Sequence, residues 1–328
     1  MEKLIVQSGV RLARNFADLP FELNGRQEDA SRCVQRVHSA LGGGSILCRL
    51  TEMDALDCRV LAESHAISPA LLQAPDAAAV FLREDSPLAV SVGGRDHVHI
   101  RCVRPGLALQ AAAEDCFRAD DQLSRQATFA FDPKLGYLTA SPADTGTGMR
   151  ATLMLHLPLL LRHDSWKQAS EIAERAGLML KSVHQDKKTE GNGLCRLYNR
   201  GSLGRTEQEI LASVTAAARQ ITEMEAQLRA QALEKNRAAL EDRIFRGWAV
   251  LNSARLLSQQ EFEACWSGAR IGAAMGLLPC RLETLDALPE QACEAHLCAY
   301  AGESLTGEAL DACRAERVRS LLTGKPLL

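Results

Sequence analysis

Residues 141–148 form a loop of small residues, Ser-Pro-Ala-Asp-Thr-Gly-Thr-Gly, and Arg150 follows this loop closely. A guanidinium is a planar, permanently charged fork that suits phosphate oxygens, and glycine lets a ligand approach the backbone closely. The loop is therefore a candidate phosphate site, although its spacing fits no common phosphate loop. A turn before a strand, with Arg150 solvated at the strand edge, would explain the same residues.

The elements on both sides of this loop can be predicted from periodicity. After Arg150, leucines alternate with other residues until Pro158, which predicts a short buried strand. Residues 88–103 alternate and are rich in valine, which predicts strands interrupted at Gly93-Gly94. Residues 165–176 predict a helix that ends near Gly177, and a strand follows it.

From Thr206 onward the pattern is helical. Apolar residues recur at steps of three and four from Ile210 to Leu228, and beyond residue 230 the breaks fall at Gly276, Pro279 and Gly302. We therefore predict an α/β domain over residues 1–235 and a helical domain over residues 236–328.

The composition limits the classes of function. The chain has 328 residues, is 46% hydrophobic and 24% charged, and carries a net charge of −3, which argues against a nucleic-acid or membrane-surface binder. Its eleven cysteines are dispersed without a CxxC pair, so we expect reduced thiols and no metal site. The first residues lack a signal-peptide core and the longest apolar run is too short for a membrane span, which predicts a cytoplasmic protein.

Several spaced segments together carry a family resemblance. They read QSGVRLARNFADLPF (7–21), ESHAISP (63–69), RDHVHIR (95–101), TGTGMRATLMLHLP (145–158), YNRGSLG (198–204) and LEDRIFRGWAVLNSARLLS (240–258). In this order they resemble the ATP:guanidino phosphotransferases, and most closely the bacterial protein arginine kinases. The resemblance implies a catalytic domain with a mixed or antiparallel sheet flanked by helices, followed by an all-helical C-terminal domain.

The resemblance also implies a nucleotide site. ATP with Mg²⁺ would be the cofactor, and Arg150 would bind ATP phosphate while the small-residue loop lines the guanidino-substrate site. The residues at the family's nucleotide-binding positions are Ser8, Val10, Arg11, His65, His99, Arg150, Ala151, Thr152, Leu153, Met154 and Lys181.

The chain departs from the family pattern where chemistry takes place. The first of two paired arginines has become Gly9, and the catalytic glutamate position holds Arg95. The substrate-contacting cysteine is Ser141, and the second glutamate is Asp186, one methylene shorter. We predict that Arg95 replaces attraction for a guanidinium by repulsion, so that phosphoryl transfer is impaired.

The departures also weaken the phosphate site. A phosphate-binding arginine has become His99, which is mostly neutral at pH 7 unless its pKa is raised, and Lys181 lacks the fork of arginine. If residues 95, 97, 99 and 101 share one face of a strand, Arg101 could lean toward the phosphates. Alternatively, Arg101 caps the strand end in solvent.

The C-terminal region carries two further expectations. Asp311 and Arg314 match part of a segment that binds phosphoarginine in the family, although the first arginine is Leu310 and a solvated helix would look the same. Residues 244–257 carry an apolar surface that predicts a homodimer, unless the α/β domain covers it. The apolar side chains are Ile244, Phe245, Trp248, Leu251 and Leu256.

Three functions remain open at this point. The first is a catalytically impaired homologue that acts as a binding or regulatory protein in protein quality control. Its partners would be an active paralogue, an activator protein or a Clp-type protease system. The second is an active protein arginine kinase with its site rearranged around Arg101, Asp186 and Ser141. The third is a nucleotide sensor that binds ATP without transferring phosphate.

Overall fold

The computed structural model describes residues 2–21, 23, 26–73, 75–183 and 191–324. Within them an eight-stranded sheet has the order β2-β3-β4-β5-β1-β8-β10-β9, and every neighbouring pair is antiparallel. The strands β6 and β7 form a separate hairpin. The strand bounds are β1 (Ile5–Arg14), β2 (Ile46–Arg49), β3 (Ala79–Arg83), β4 (Ser86–Val92), β5 (Val98–Pro105), β6 (Phe131–Asp132), β7 (Gly136–Tyr137), β8 (Met149–His156), β9 (Leu178–Ser182) and β10 (Leu194–Asn199).

The helices of the described residues begin and end at recognisable signals. The side chain of Thr206 accepts a hydrogen bond from the backbone nitrogen of Glu209, and the Glu209 side chain accepts one from the backbone nitrogen of Thr206. These two bonds form a capping box at the start of α5. Gly276 ends α7 with a left-handed backbone. The helix bounds are α1 (Gln27–Leu41), α2 (Ala55–Glu63), α3 (Leu109–Ser124), α4 (Trp166–Arg175), α5 (Glu207–Lys235), α6 (Arg237–Ser253), α7 (Gln259–Met275), α8 (Leu282–Gln291), α9 (Glu294–Ala301) and α10 (Gly307–Thr323).

One face of the sheet is covered by helices α1, α3, α4 and α5. The strands supply alternate apolar side chains to this layer, such as Leu12, Ile100 and Leu153, which are fully buried. This burial fixes the register of β1, β5 and β8, because a slip of one residue would turn their polar side chains into the core. The polar side chains at the alternate positions, among them Arg11, Arg101 and Arg150, therefore lie together on the opposite face.

Two smaller apolar clusters cover the ends of that opposite face. At one end, α6, α7, α8 and α10 pack around Trp266 and reach Val6 and Met154 of the sheet. At the other end, α2 and the segment after it pack around Ile67 and reach Val80. The part of the sheet between the two clusters carries the polar side chains described below.

The helical C-terminal region also contacts α2, through α9. The carboxylate of Glu63, the last residue of α2, accepts from the backbone nitrogens of Ala295 and His296 at 3.0 and 3.1 Å. These nitrogens belong to the first turn of α9, where a carboxylate is stabilised by unpaired N–H groups and the helix dipole. Arg59 of α2 and Glu294 of α9 add an ion pair at 2.6 Å.

The sequence predictions of this architecture agree with the structure. The sheet flanked by helices and the helical C-terminal region are present, and β4 and β5 are separated at Gly93-Gly94 as expected. The strand after Arg150 and the helix before Gly177 are also confirmed. Helix α5 ends at Lys235 and α6 begins at Arg237, and a domain boundary at this point stays a prediction.

The apolar surface predicted over residues 244–257 is divided in the structure. Ile244 and Leu251 are buried within the chain, because α6 packs closely on α7. The close packing requires Gly268, where an added Cβ would lie 2.7 Å from the carbonyl oxygen of Arg243. Phe245 and Leu256 remain exposed, at 48% and 50%.

Candidate active site

Three arginines form a row across the centre of the polar face. Arg11 of β1 lies opposite Arg101 of β5 on one side and opposite Arg150 of β8 on the other. Directly opposed like charges destabilise a sheet unless a counter-ion is present. The row is therefore a site at which an anion would be stabilised.

A carboxylate of the small-residue loop supplies one such counter-charge. Asp144 accepts a hydrogen bond from Arg11 at 2.6 Å and another from Arg150 at 2.9 Å. The Nε atoms of both arginines are buried without a hydrogen-bond partner. Asp144 thus binds this arginine pair in the way that a phosphate could. The pair still has donors that Asp144 does not use.

The glycines of the loop allow it to lie this close to the sheet. A Cβ on Gly148 would lie 2.4 Å from a guanidinium nitrogen of Arg14 and 2.5 Å from the carbonyl oxygen of Ala13. Gly146 has a φ of 116° and approaches the backbone of Ser202. Ser202 also donates to the carbonyl oxygens of Asp144 and Thr145, each at 3.0 Å. The loop is therefore fixed rather than loosely solvated, and it presents Asp144 to the arginines.

A second buried carboxylate, Asp96, lies in the turn before β5, next to His99. It accepts from Asn15 and from the backbone nitrogen of Ala140, each at 2.7 Å, and lies 3.5 Å from His99 Nε2. Burial opposes its ionisation, but the nearby His99 ring and the hydrogen bonds from Ala140 and Asn15 lower the pKa of Asp96 overall. Burial lowers the pKa of His99 although Asp96 opposes this, so His99 is neutral at pH 7.

His65 closes the site from the side of α2. It has a φ of 60°, a left-handed conformation that is rare outside glycine, and its carbonyl oxygen accepts from Arg101 at 2.9 Å. Burial, followed by the positive charges of Arg196 and Arg101, lowers the pKa of His65. The bond to His65 excludes the alternative in which Arg101 caps its strand in solvent.

The predicted nucleotide-binding residues lie on both faces of the sheet. Thr152 and Met154 share a face with Arg150, and Lys181 reaches the same face on β9. The other four strand residues have their side chains on the helix-covered face, where they are buried. These are Ser8, Val10, Ala151 and Leu153. Only their backbone groups are close to the arginine row.

The predicted catalytic residues lie in separate segments of the chain. Ser141 lies in the loop, where its carbonyl oxygen accepts from Asp144 and Thr139. Arg95 is exposed in the turn before β5, which begins at Val98. The expectation that residues 95 and 97 share a strand face with residues 99 and 101 is therefore wrong, because the alternation of a strand does not extend into a turn. Asp186 lies outside the described residues.

Asp311 and Arg314 lie in α10, away from the arginine row. The Arg314 side chain is 3% exposed, and it donates to the carbonyl oxygens of Ala292 and Leu257 at 3.1 and 2.8 Å. It also pairs with Asp311 at 2.6 Å. These bonds connect α10 to the start of α7 and the end of α8, and the phosphoarginine site predicted there stays a prediction.

Sequence reasoning missed Asp144, Asp96 and Arg196. Asp144 was visible only as one small polar residue of the loop, and its bridge depends on strand register that the sequence does not give. Arg196 lies four residues before Arg200 in a strand whose pairing was not predicted. Among the described residues, no group of three or more His, Cys, Asp or Glu side chains could hold a metal ion.

Comparisons with known proteins agree with this geometry. Residues 31–228 match the family model "ATP:guanido phosphotransferase, C-terminal catalytic domain". The chain belongs to the ATP:guanido phosphotransferase family. Residues 237–326 match a second model, "Protein-arginine kinase McsB C-terminal domain". The resemblance inferred from the sequence motifs is thereby confirmed.

Relatives similar to the whole chain are named as protein-arginine kinases. The protein from Pelotomaculum thermopropionicum is 33% identical, over 99% of this chain and 94% of its own length. The protein from Syntrophomonas wolfei is 34% identical, over 97% of this chain and 91% of its own length. The chain is therefore a homologue of protein-arginine kinases.

Solved structures of guanidino kinases share the fold. The duplicated taurocyamine kinase of Schistosoma mansoni, with bound transition-state-analogue components, has a TM-score of 0.63 and 23% identity, covering 70% of this chain and 34% of that chain. Lombricine kinase has a TM-score of 0.61 and 19% identity, covering 72% of this chain and 68% of that chain. At these identities the likeness shows the fold alone.

Proposed function

We propose that this chain binds ATP on the arginine row but transfers its γ-phosphate to arginine side chains slowly or not at all. Arg11 and Arg150 hold the phosphates through paired hydrogen bonds, with Arg101 adding positive charge from the neighbouring strand. Lys181 would be the fourth cation of the site, as a point charge without a fork. His99 contributes no charge, because burial keeps it neutral.

The observation that carries the proposal is the imbalance between cations and available carboxylates. A guanidinium acceptor needs carboxylates that orient it and take its proton as the N–P bond forms. Asp144 is engaged by Arg11 and Arg150, and Asp96 by Asn15 and a backbone nitrogen. Arg95 occupies the position at which the family resemblance places the base. The described site therefore favours a phosphate more than it favours a guanidinium.

ATP fits the residues that are present. The unused Nε donors of Arg11 and Arg150 would each gain a phosphate oxygen, and Asp144 would be displaced from at least one of them. Mg²⁺, carried on the phosphates, would neutralise part of their charge. The chain's own residues bind and orient the phosphates, and Thr152 beside Gly9 leaves room for them on the floor of the site.

A second candidate is an active protein arginine kinase that transfers the ATP γ-phosphate to arginine side chains of proteins. It is favoured by the relatives' name and by the position of Asp96, whose carboxylate lies beside the loop that would line the substrate site. In that case Asp96 or Asp186 would take over the base role, with Ser141 beside the acceptor.

We also propose a regulatory role in protein quality control, because a protein that binds ATP without efficient phosphate transfer would act by binding other proteins. Its partners would be a second copy of the chain and an active paralogue, an activator protein or a Clp-type protease, in the cytoplasm. Within the described ranges, each helix is too short or too polar to span a bilayer. Nucleic acid is not among the proposed partners, since the net charge is −3.

Calorimetric titration with Mg²⁺-ATP tests the binding step. We expect weak binding by the natural chain and no detectable binding by Arg150→Ala, since that change removes half of the arginine pair. Arg175→Ala is the matched control, because Arg175 is exposed on α4 and pairs only with Glu171 among the described residues. Absence of heat with millimolar ATP would contradict the proposal, and so would binding that Arg150→Ala leaves unchanged.

A further inference from the structure

A second pair of cations lies on the same face as the arginine row. Lys181 of β9 lies opposite Arg196 of β10, and Arg196 in turn lies opposite Met154 of β8. Met154 and Arg150 are four residues apart on one strand, so they share a face. Lys181 and Arg196 therefore lie on the polar face, about 13 Å along the strands from the arginine row.

The floor between the two sets of cations is low and open. Thr152 lies opposite Gly9 on one side and opposite Tyr198 on the other. A Cβ on Gly9 would meet only ordinary contacts, with a side-chain atom of Val103 at 3.8 Å and the carbonyl oxygen of Cys102 at 4.0 Å, so a small group can be placed here without displacing a neighbour. The Arg150 guanidinium lies over the ring of Tyr198, 5.4 Å from the ring centroid. A ligand can therefore extend across the floor from one set of cations to the other.

Arg196 and Arg101 carry charge that the described residues do not balance. Arg101 donates to the carbonyl oxygen of His65, a neutral acceptor, and its neighbour in the register is the cation Arg11. Burial and the charge of Arg11 together lower the pKa of Arg101 to about 10. Arg196 is exposed, and no carboxylate in the described part of the chain pairs with it.

Two arginines and one carboxylate act on the same residue, His65. Arg101 donates to its carbonyl oxygen at 2.9 Å, and burial and the positive charges of Arg196 and Arg101 lower the pKa of the His65 ring, whereas the carboxylate of Glu290 acts in the opposite direction. Two positive charges against one negative charge leave a local excess of positive charge. An anion placed there relieves the repulsion among these groups and gains several charge-assisted hydrogen bonds.

We infer that Arg196 and Arg101 are phosphate-binding residues for a nucleoside triphosphate, and that they replace the cations missing at Gly9 and His99. The inference rests on the proposed nucleotide-binding function and extends it. A triphosphate can contact the arginine row and Arg196 together, whereas a single phosphate contacts one set of cations. The site therefore prefers triphosphates to monophosphates, and Arg196 determines this preference.

The alternative is that Arg196 is an ordinary solvated arginine on a strand surface. Arg200 provides the matched control, because it follows the last residue of the same strand and is also exposed. It pairs with Glu174 of α4 at 3.0 Å and takes no part in the row. Changing either arginine to alanine alters the net charge of the chain equally.

The test is calorimetric titration of the full chain with ATP, AMP and inorganic tripolyphosphate. We expect Arg196→Ala to weaken the binding of ATP and of tripolyphosphate about 10-fold, because one charge-assisted contact is lost. AMP binding should weaken less than about 2-fold. Arg196→Lys should lie between the natural chain and Arg196→Ala, since lysine keeps the charge without the fork. Arg101→Ala should resemble Arg196→Ala, with circular dichroism as the check on folding.

Two results separate this inference from the proposal beneath it. If Arg196→Ala binds ATP as the natural chain does, or if Arg200→Ala loses as much affinity, the inference is wrong. If the inference fails in this way but Arg150→Ala still abolishes ATP binding, the proposed function stands. If the natural chain binds neither ATP nor tripolyphosphate, both the inference and the proposed function are wrong.

Discussion

Arg11 and Arg150 face each other across adjacent strands and share a single carboxylate, that of Asp144, at 2.6 and 2.9 Å. The pairing keeps the two guanidinium groups oriented in the free protein, so a phosphate meets donors that are already in place. It also makes Asp144 a competitor, because the carboxylate occupies donors that a phosphate would use. Nucleotide binding is therefore an exchange of one anion for another.

The first prediction concerns this competition. Asp144→Asn removes the negative charge while keeping the size of the side chain, so we expect ATP to bind about 3- to 10-fold more tightly, as suits one partly exposed ion pair. Asp121→Asn, at an exposed position on α3, is the control for net charge. Calorimetric titration measures both. Weaker binding in Asp144→Asn would show that Asp144 supports the site rather than competing for it.

A second prediction concerns the arginine missing at position 9. Gly9→Arg would place a guanidinium on the floor of the site, where the new Cβ meets ordinary contacts at 3.8 Å or more. We expect ATP affinity to rise about 10-fold, since one charge-assisted contact is gained. Gly43→Arg adds the same charge at a position where a Cβ meets nothing within 4 Å, and it should leave the affinity unchanged. Equal gains in the two variants would contradict a local effect.

The architecture was predictable where one physical signal dominates. The strand after Arg150 alternates leucines with other residues because only one of its faces meets the helix layer, and α5 repeats at three and four because one stripe of it is buried. The surface predicted over 244–257 is covered only in part within the chain, because sequence does not show which neighbour covers an apolar residue. Ile244 and Leu251 are covered by α7 and its neighbours in the same chain.

The site was predictable only in part, for a related reason. Arg11 and Arg150 stand in recognisable motifs, but their meeting depends on the register of β1 and β8, which burial on the other face decides. Asp144 joins them from the small-residue loop, and the His65 carbonyl oxygen holds the neighbouring Arg101 from a third segment. Arg95 was placed on a strand face because the alternation around it looked continuous, whereas the strand begins three residues later.

A third prediction concerns pH and the contact between α2 and α9. Hydrogen bonds to Glu290 and Glu63 raise the pKa of His296 to about 9, so its charged form stabilises the folded state. This contribution is complete below pH 6.5 and is lost as the pH rises through 9. Burial opposes the ionisation of Glu63, but bonds from His296 and Ala295 lower its pKa overall, so its contribution is lost only in acid.

We therefore expect the free energy of unfolding to fall by about 1–2 kcal/mol between pH 6.5 and 9.5, after discounting the solvent exposure of Glu290. Urea unfolding at both pH values measures it. In His296→Gln this part of the decline should disappear, whereas His163→Gln, at an exposed site, should behave as the natural chain does. The same decline in His296→Gln and the natural chain would assign it to other groups.

A fourth prediction is that the chain forms a weak homodimer through Phe245 and Leu256, the part of the predicted surface that stays exposed. Sedimentation equilibrium at micromolar concentration should show a mass above that of the 35.7 kDa chain. The double variant Phe245→Ser/Leu256→Ser should be monomeric, and Leu203→Ser, at another exposed leucine, should not change the mass. A natural chain that is monomeric throughout would contradict the dimer.

The central claim is that the site binds ATP but transfers phosphate poorly. The direct measurement is acid-labile phosphate formed on an arginine-rich protein from labelled ATP and Mg²⁺, with the Syntrophomonas wolfei relative as the positive control. We predict no transfer above the blank from the natural chain, and a small gain in Gly9→Arg/Arg95→Glu, where a carboxylate returns to the base position. Turnover by the natural chain within the usual kinase range of about 1–100 s⁻¹ would contradict the account.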